Sequence, residues 1–227
     1  MTIRWIGQSG YLIRTENAEI LLDPYLSDAV NRVANRPRLV DAPLSPSEIS
    51  ADAVICTHDH LDHLDVDAAA EMSRNTRFIT TGEGRKTLMD MGFSHVDVLT
   101  EGDLVTIGDL KLTAVYAKHT VEAFGVILQV EGKTLYFSGD TLFDERLYQI
   151  REFHPDVTFL CINGKLGNMN VDEAVAVAQG IGAPRNIPNH YGMFASNTED
   201  PRRFTDRVSG GFIMEFNREY DVSEICG

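Results

Sequence analysis

Cysteine is scarce and badly placed for structural chemistry. Cys56, Cys161 and Cys226 form an odd, widely spaced set with no Cys-x-x-Cys pair. That excludes a disulfide framework and argues against a closed structural zinc site. Cys56 and Cys161 lie inside apolar, strand-like runs, where a thiol behaves as a small hydrophobe, so reduced cysteines in a cytoplasmic protein are expected. Basic residues are also few: 20 Lys and Arg face 34 Asp and Glu, a formal net charge of −14. Such a balance opposes any broad nucleic-acid surface or anionic-membrane surface, and an anionic substrate would need local help. No apolar run approaches membrane-spanning length, no basic segment followed by an apolar core opens the chain, and no Gly-, Ser- or Pro-rich linker divides it. With 227 residues, 43% of them hydrophobic, one α/β domain spanning residues 1–227 is expected to bury a substantial core.

Against this background one stretch stands out. Thr57-His58-Asp59-His60-Leu61-Asp62-His63 holds three of the chain's seven histidines. The run before it, residues 52–57, is short, apolar and β-branched, the pattern of a buried strand. The ligand cluster therefore begins where a strand ends. Irregular backbone there can turn several imidazoles and a carboxylate towards one point, whereas a continued strand would send neighbours to opposite faces. Imidazole and carboxylate together suit zinc, manganese or iron. A solvated polar turn is the bland alternative, and four titratable groups in six residues are a costly way to end a buried strand.

Elsewhere the pattern alternates. Residues 2–6, 11–14 and 19–22 read as a strand meander, the last running into Asp23-Pro24. Residues 25–50 read as a proline-bearing loop with at most one short helix, and Ser45-Pro46-Ser47-Glu48 has the form of a capping box. Helices are expected at 65–74 and 83–91 around a strand at 77–80, then closely spaced strands at 95–99, 104–107, 110–117, 124–130 and 134–137. A helix at 144–153, a strand at 157–162, a helix from Val171 capped by Asn170, a strand at 186–189, a helix after Asp200-Pro201 and a late strand at 211–216 complete the reading. His119, Asp140 and His190 each follow a predicted strand. Taken singly, His119 and Asp140 would more often be turn residues than ligands. The two halves hint at two similar sheets packed face to face between helices.

Taken together, His58, His60, Asp62 and His63, followed by His119, Asp140 and His190, resemble the ordered ligand series of the metallo-β-lactamase superfamily, whose defining motif is His-x-His-x-Asp-His. Asp23 matches its early strand-end aspartate. The resemblance covers nearly the whole chain and implies a four-layer αββα sandwich with the site on one edge. A closer likeness is to the L-ascorbate-6-phosphate lactonase group and related metal-dependent hydrolases. It is carried by Gly7-Gln8-Ser9-Gly10, Asp23-Pro24-Tyr25-Leu26, Ile162-Asn163-Gly164, Gly167-Asn168-Met169, Glu173-Ala174, His190-Tyr191-Gly192-Met193-Phe194 and Glu199-Asp200-Pro201. Between the Ile-Asn-Gly and Gly-Asn-Met segments those lactonases have further residues, where this chain has only Lys165 and Leu166.

The resemblance implies two divalent ions, manganese or zinc with iron as an alternative. His58, His60 and His119 would hold one, Asp62, His63 and His190 the other, and Asp140 would bridge both, with Asp23 behind them. Paired cations bring the pKa of a shared water towards neutrality, and the resulting hydroxide would open a sugar-derived or phosphorylated lactone, with Asp62, or a water it orients, returning the proton. Asn163 and Lys165 are candidate substrate contacts. The alternatives are hydrolysis of a small phosphodiester at the same site, iron-dependent redox chemistry, or a non-enzymatic metal sensor or scaffold. A small-molecule substrate, no nucleic acid, no membrane and possible homo-oligomerisation complete the expectations.

Overall fold

The computed structural model describes residues 1–226; Gly227, the last residue of the expected domain, lies outside them. Two mixed sheets carry the chain. The first has seven strands: β1 (Thr2–Gly7), β2 (Gly10–Arg14), β3 (Glu19–Leu22), β4 (Ala53–Ile55), β5 (Phe78–Thr80) and β6 (Val96–Val98) lie side by side in chain order, and β13 (Glu219–Asp221) pairs with the free side of β1. The second has six: β7 (Leu104–Ile107), β8 (Leu110–Tyr116), β9 (Phe124–Val130), β10 (Lys133–Phe137), β11 (Val157–Cys161) and β12 (Arg185–Asn189). Helices α1 (Ala29–Ala34), α2 (Val66–Glu71), α3 (Gly82–Asp90), α4 (Val171–Ile181), α5 (Arg202–Thr205) and α6 (Val222–Cys226) complete the set.

Side-chain alternation explains the layering. In the first sheet Ile3, Trp5, Tyr11, Ile13, Ile20, Leu22, Ala53, Ile55 and Ile79 point into the core shared with the second sheet. Their neighbours Leu12, Leu21, Val54 and Phe78 point the other way, onto Ala68 and Met72 near α2 and Leu88 of α3. A period of two buries both faces of these strands, which is why they read as continuous apolar runs. The outer face of the second sheet is covered by Val171, Ala174, Val175 and Ala178 of α4, and by Leu147 and Ile150. The expected arrangement of two sheets between helical layers is therefore found. At its centre Phe137 stacks on Phe159 with ring centroids 4.2 Å apart, and Tyr11 of the opposite sheet packs 5.1 Å from both.

Several local expectations are corrected. Residues 211–216 form no strand: Gly211 makes a single bridge to Asn186, and Asn217 adopts φ +60°, so the chain turns before reaching the sheet as β13. Pro46–Glu48 is one 3₁₀ turn in which the Ser45 side chain makes no capping bond. Glu145–Phe153, expected as a helix, is a 3₁₀ helix capped by Asp144. The helix from Asp65 stops at Glu71, short of Arg74, although the Asp65 side chain accepts from Ala68 N as expected. The Asn170 and Glu173 capping box at α4 is complete.

Topology then places every candidate residue. β3, β4 and β5 run parallel, as do β10, β11 and β12. Asp23 follows β3, the histidine-rich loop follows β4, Asp140 follows β10 and His190 follows β12. β8 lies antiparallel to β9, and β9 to β10, so His119 leaves the second sheet on the side of Asp140. Because the central Phe159 fills the space between the sheets, Phe159→Ala should lower unfolding stability by about 3–5 kcal/mol, read as a drop in urea midpoint with an unchanged m-value.

Candidate metal centre

Seven side chains from four loops meet at this edge. His58, His60, His119 and Asp140 form one group, and Asp62, His63 and His190 a second, each with ligand-capable atoms within 4.8 Å of one another. His60 Nδ1 lies 3.1 Å from His58 Nε2 and 3.1 Å from His119 Nε2. Nitrogens sharing one tetrahedral cation, each about 2.0–2.1 Å from it, stand at roughly this separation. Asp140 Oδ2 faces this group, 4.0 Å from His58 Nε2 and 3.8 Å from His119 Nε2. Its other oxygen, Oδ1, faces the second group, 3.3 Å from His63 Nε2 and 3.2 Å from His190 Nε2. Asp62 Oδ2 closes that group 3.4 Å from His190 Nε2.

The orientation of each ring has a cause. Asp23 Oδ1 accepts from Thr57 N at 2.7 Å, and Oδ2 accepts from Thr57 Oγ1 at 2.8 Å while lying 2.9 Å from His63 Nδ1. One buried carboxylate thus fixes the start of the loop and turns the far nitrogen of His63 inward. His119 Nδ1 donates to the Gly167 carbonyl at 3.0 Å, leaving Nε2 free to act as a donor to a cation. Gly167 stands at φ +94°, and a Cβ there would come within 2.9 Å of His119 Nδ1, so only glycine permits this approach. Three further residues of the site, Gln8, Asp23 and His190, adopt φ of +52°, +44° and +60°. Left-handed backbone costs non-glycine residues about 1–3 kcal/mol each, strain that collects where function over-determines the geometry.

Burial and charge pull the site in opposite directions. Burial, reinforced by its histidine neighbours, holds the His58 imidazole well below its ordinary pKa, and burial also lowers His119. Burial acts the same way on His63 and His190, but carboxylates outweigh it: Asp140 and Asp23 raise His63, while Asp140 and Asp62 raise His190 to about 9. Burial alone would raise Asp62 and Asp140, yet His190 and His63 hold both carboxyls below their ordinary value. Inside the cage His63 Nε2 and Asp140 Oδ1 are fully enclosed without an aligned hydrogen bond. Buried polar atoms left so are costly, and a cation between them supplies the missing partner. The donor set therefore fits one or more divalent ions.

The other candidates lie elsewhere. Asn163 donates to Asn197 Oδ1 at 2.8 Å and the Lys165 ammonium to the Ser196 carbonyl at 2.9 Å, so both tie the loop to its neighbour and neither lines the cleft described next. His95 and His154 are exposed, away from the cluster. Sequence reasoning gave no role to Gln8. It is fully buried and donates from Nε2 to Asp62 Oδ2 at 2.7 Å, with His190 Nε2 3.1 Å away. Its only signal was its place in the Gly7-Gln8-Ser9-Gly10 turn. A cleft of about 470 Å³ opens directly on His60 and Asp62, between α1 and the loop holding Leu166 and Gly167.

The sequence model of the family described as "Beta-lactamase superfamily domain" matches residues 18–191. A UPF0173 metal-dependent hydrolase of Oenococcus oeni is 27% identical, over 97% of this chain and all of that protein. Among solved structures, Igni18, a metallo hydrolase of Ignicoccus hospitalis, superposes with a TM-score of 0.77 at 21% identity, covering 97% of this chain and 98% of the other. An isothiocyanate hydrolase from Delia radicum gut bacteria gives 0.81 at 18% identity, with the same coverage. At these identities the structural likeness speaks for the fold. No helix among the described residues is long and apolar enough to cross a membrane.

Two outcomes follow for cation binding. Asp23→Ala frees the His63 ring and should weaken zinc or manganese affinity about 10–100-fold, measured by competition with a chromogenic chelator. The raised pKa of His190 contributes stability that is fully present below its unfolded value and lost as pH rises through about 9. Cation binding competes with that proton, so affinity should climb as pH rises towards 9. Binding at pH 7 should release about one to two protons, seen as a dependence of calorimetric heat on buffer ionisation enthalpy.

Proposed function

This chain belongs to the metallo-β-lactamase superfamily as a metal-dependent hydrolase, and on that premise we propose that it opens a lactone or similar carboxylic ester by direct attack of water at a two-cation site. His58, His60 and His119 would hold one ion and Asp62, His63 and His190 the other, with the Asp140 carboxylate available to both. The observation that carries this reading is the division of Asp140, whose two oxygens face two different histidine sets. Bound there, divalent cations acidify water and polarise a carbonyl, the two requirements of ester hydrolysis near neutral pH.

The protein's own groups account for the rest. No serine or cysteine lines the cleft, and Cys56 and Cys161 are buried in the sheets, which favours water over an enzyme nucleophile. Asp62 borders both the cage and the cleft, so its carboxylate is placed to take the proton lost by the attacking water and return it, directly or through a water it orients, to the departing alkoxide. Gln8 holds the Asp62 carboxylate by its Oδ2, fixing the direction from which that proton moves. Asp23 keeps the His63 ring from rotating out of the cage. The sequence runs that resemble those of L-ascorbate-6-phosphate lactonases support a cyclic ester. A small phosphodiester is the second reading, favoured by Arg36 on the cleft wall.

A lactone panel and bis(p-nitrophenyl) phosphate, each assayed with manganese, zinc and iron, separate the two. Lactone turnover well above phosphodiester turnover is expected, and the reverse would replace the first reading by the second. His58→Ala, Asp140→Ala and His190→Ala should each lose bound metal and at least about 100-fold in kcat/KM. His95→Ala and His154→Ala should match the parent, and full activity in the first set would remove the assignment.

A further inference from the structure

The cleft beside the cage differs in character from the cage. Its wall is formed by Val30, Val33 and Ala34 of α1, by Leu61 within the ligand loop and by Leu166 on the facing loop. Two of these are unusually open for large apolar groups: Val33 is 62% and Leu166 58% exposed. Leu166 is also held at φ +56°, a conformation that a leucine adopts only when its surroundings impose it. The loop's clamp on His119 through the Gly167 carbonyl supplies that constraint, and it fixes Leu166 at the cleft mouth. Arg36 is the only lysine or arginine on the wall, and Thr120 the only hydroxyl. A volume of about 470 Å³ lies within the span of small-molecule sites, roughly 300–1,000 Å³.

We propose that this cleft is the substrate's apolar subsite, so that the molecule hydrolysed carries an alkyl or aryl substituent seated between Val33 and Leu166, with its scissile group at His60 and Asp62. A sugar or sugar phosphate has many hydroxyls or anionic oxygens to satisfy on leaving water, and this wall offers them two polar side chains besides those of the cage. An alkyl chain needs none. Burying it also covers Val33 and Leu166, removing from water apolar surface that the free protein leaves exposed. The inference rests on the reading of the cage as the site of hydrolysis, but it concerns the body of the substrate rather than the bond cleaved.

The test uses two series of increasing chain length on the full protein: γ-alkyl-γ-butyrolactones as substrates, and 3-alkylcyclopentanones as ring analogues without the cleavable ester oxygen. Each added methylene should raise lactone kcat/KM, and tighten analogue Kd by calorimetry, about threefold to fourfold until the cleft is filled. Val33→Asp and Leu166→Asn should flatten both slopes. Asparagine tolerates left-handed backbone, so the second variant removes the apolar surface while keeping the loop conformation. Analogue binding independent of chain length, or slopes unaltered in both folded variants, overturns the proposal. A dimer that becomes monomeric in both variants by sedimentation also overturns it, since the patch would then join two copies of the chain. If no lactone is turned over but analogue binding keeps its slope in the parent and loses it in the variants, the subsite stands and the lactone reading falls.

Discussion

The demand that one enclosed carboxylate face two clusters of imidazoles governs this structure. Asp140 is almost wholly removed from water, a position that a charged group tolerates only when compensated. Its compensation is spread over His58 and His119 on one side and His63 and His190 on the other, supplied by three segments of chain, with Asp140 itself on a fourth. No single helix or hairpin can present groups in that way. Two sheets packed face to face can, because the ends of β4, β8, β10 and β12 emerge at one edge from opposite sides of a rigid apolar core. The stacked Phe137 and Phe159 rings lie inside that core, and Asp140 follows Phe137 by three residues. Stiffness in the core thus becomes accuracy at the edge.

Strain and burial mark the same residues. Gln8, Asp23 and His190 each hold left-handed backbone, and each is buried against the cage. Asp23 has its two oxygens shared among Thr57 N, Thr57 Oγ1 and His63, and Gln8 divides its amide nitrogen between Asp62 and His190. The outer groups have little freedom to turn, and neither have the inner ones they hold.

Much of this was legible in the chain itself. The histidine-rich turn announced a cation site because its residues are contiguous, and the sheets were readable because strands buried on both faces leave unbroken apolar runs. His119, Asp140 and His190 could be joined to that turn only through family likeness, since the intervening chain carries no local sign of where a strand end will lie. The errors share a physical origin. Residues 211–216 are apolar enough for a strand, but left-handed Asn217 turns the chain before it can pair, and the sheet edge is taken by Glu219–Asp221 instead. Gln8 stayed hidden because a glutamine in a tight turn looks like any other turn residue until tertiary contacts supply its partners.

One detail ties recognition to retention. Leu166 borders the cleft, and the next residue, Gly167, grips a ring of the cage through its carbonyl. Neighbouring positions on a single tight turn therefore serve two different surfaces, the cleft mouth and the cage. A replacement at position 166 that tolerates left-handed backbone alters the first and spares the second, whereas one that forces the backbone out of that region shifts the Gly167 carbonyl and loosens the His119 ring. Changes in α1 reshape the same cleft without touching that carbonyl.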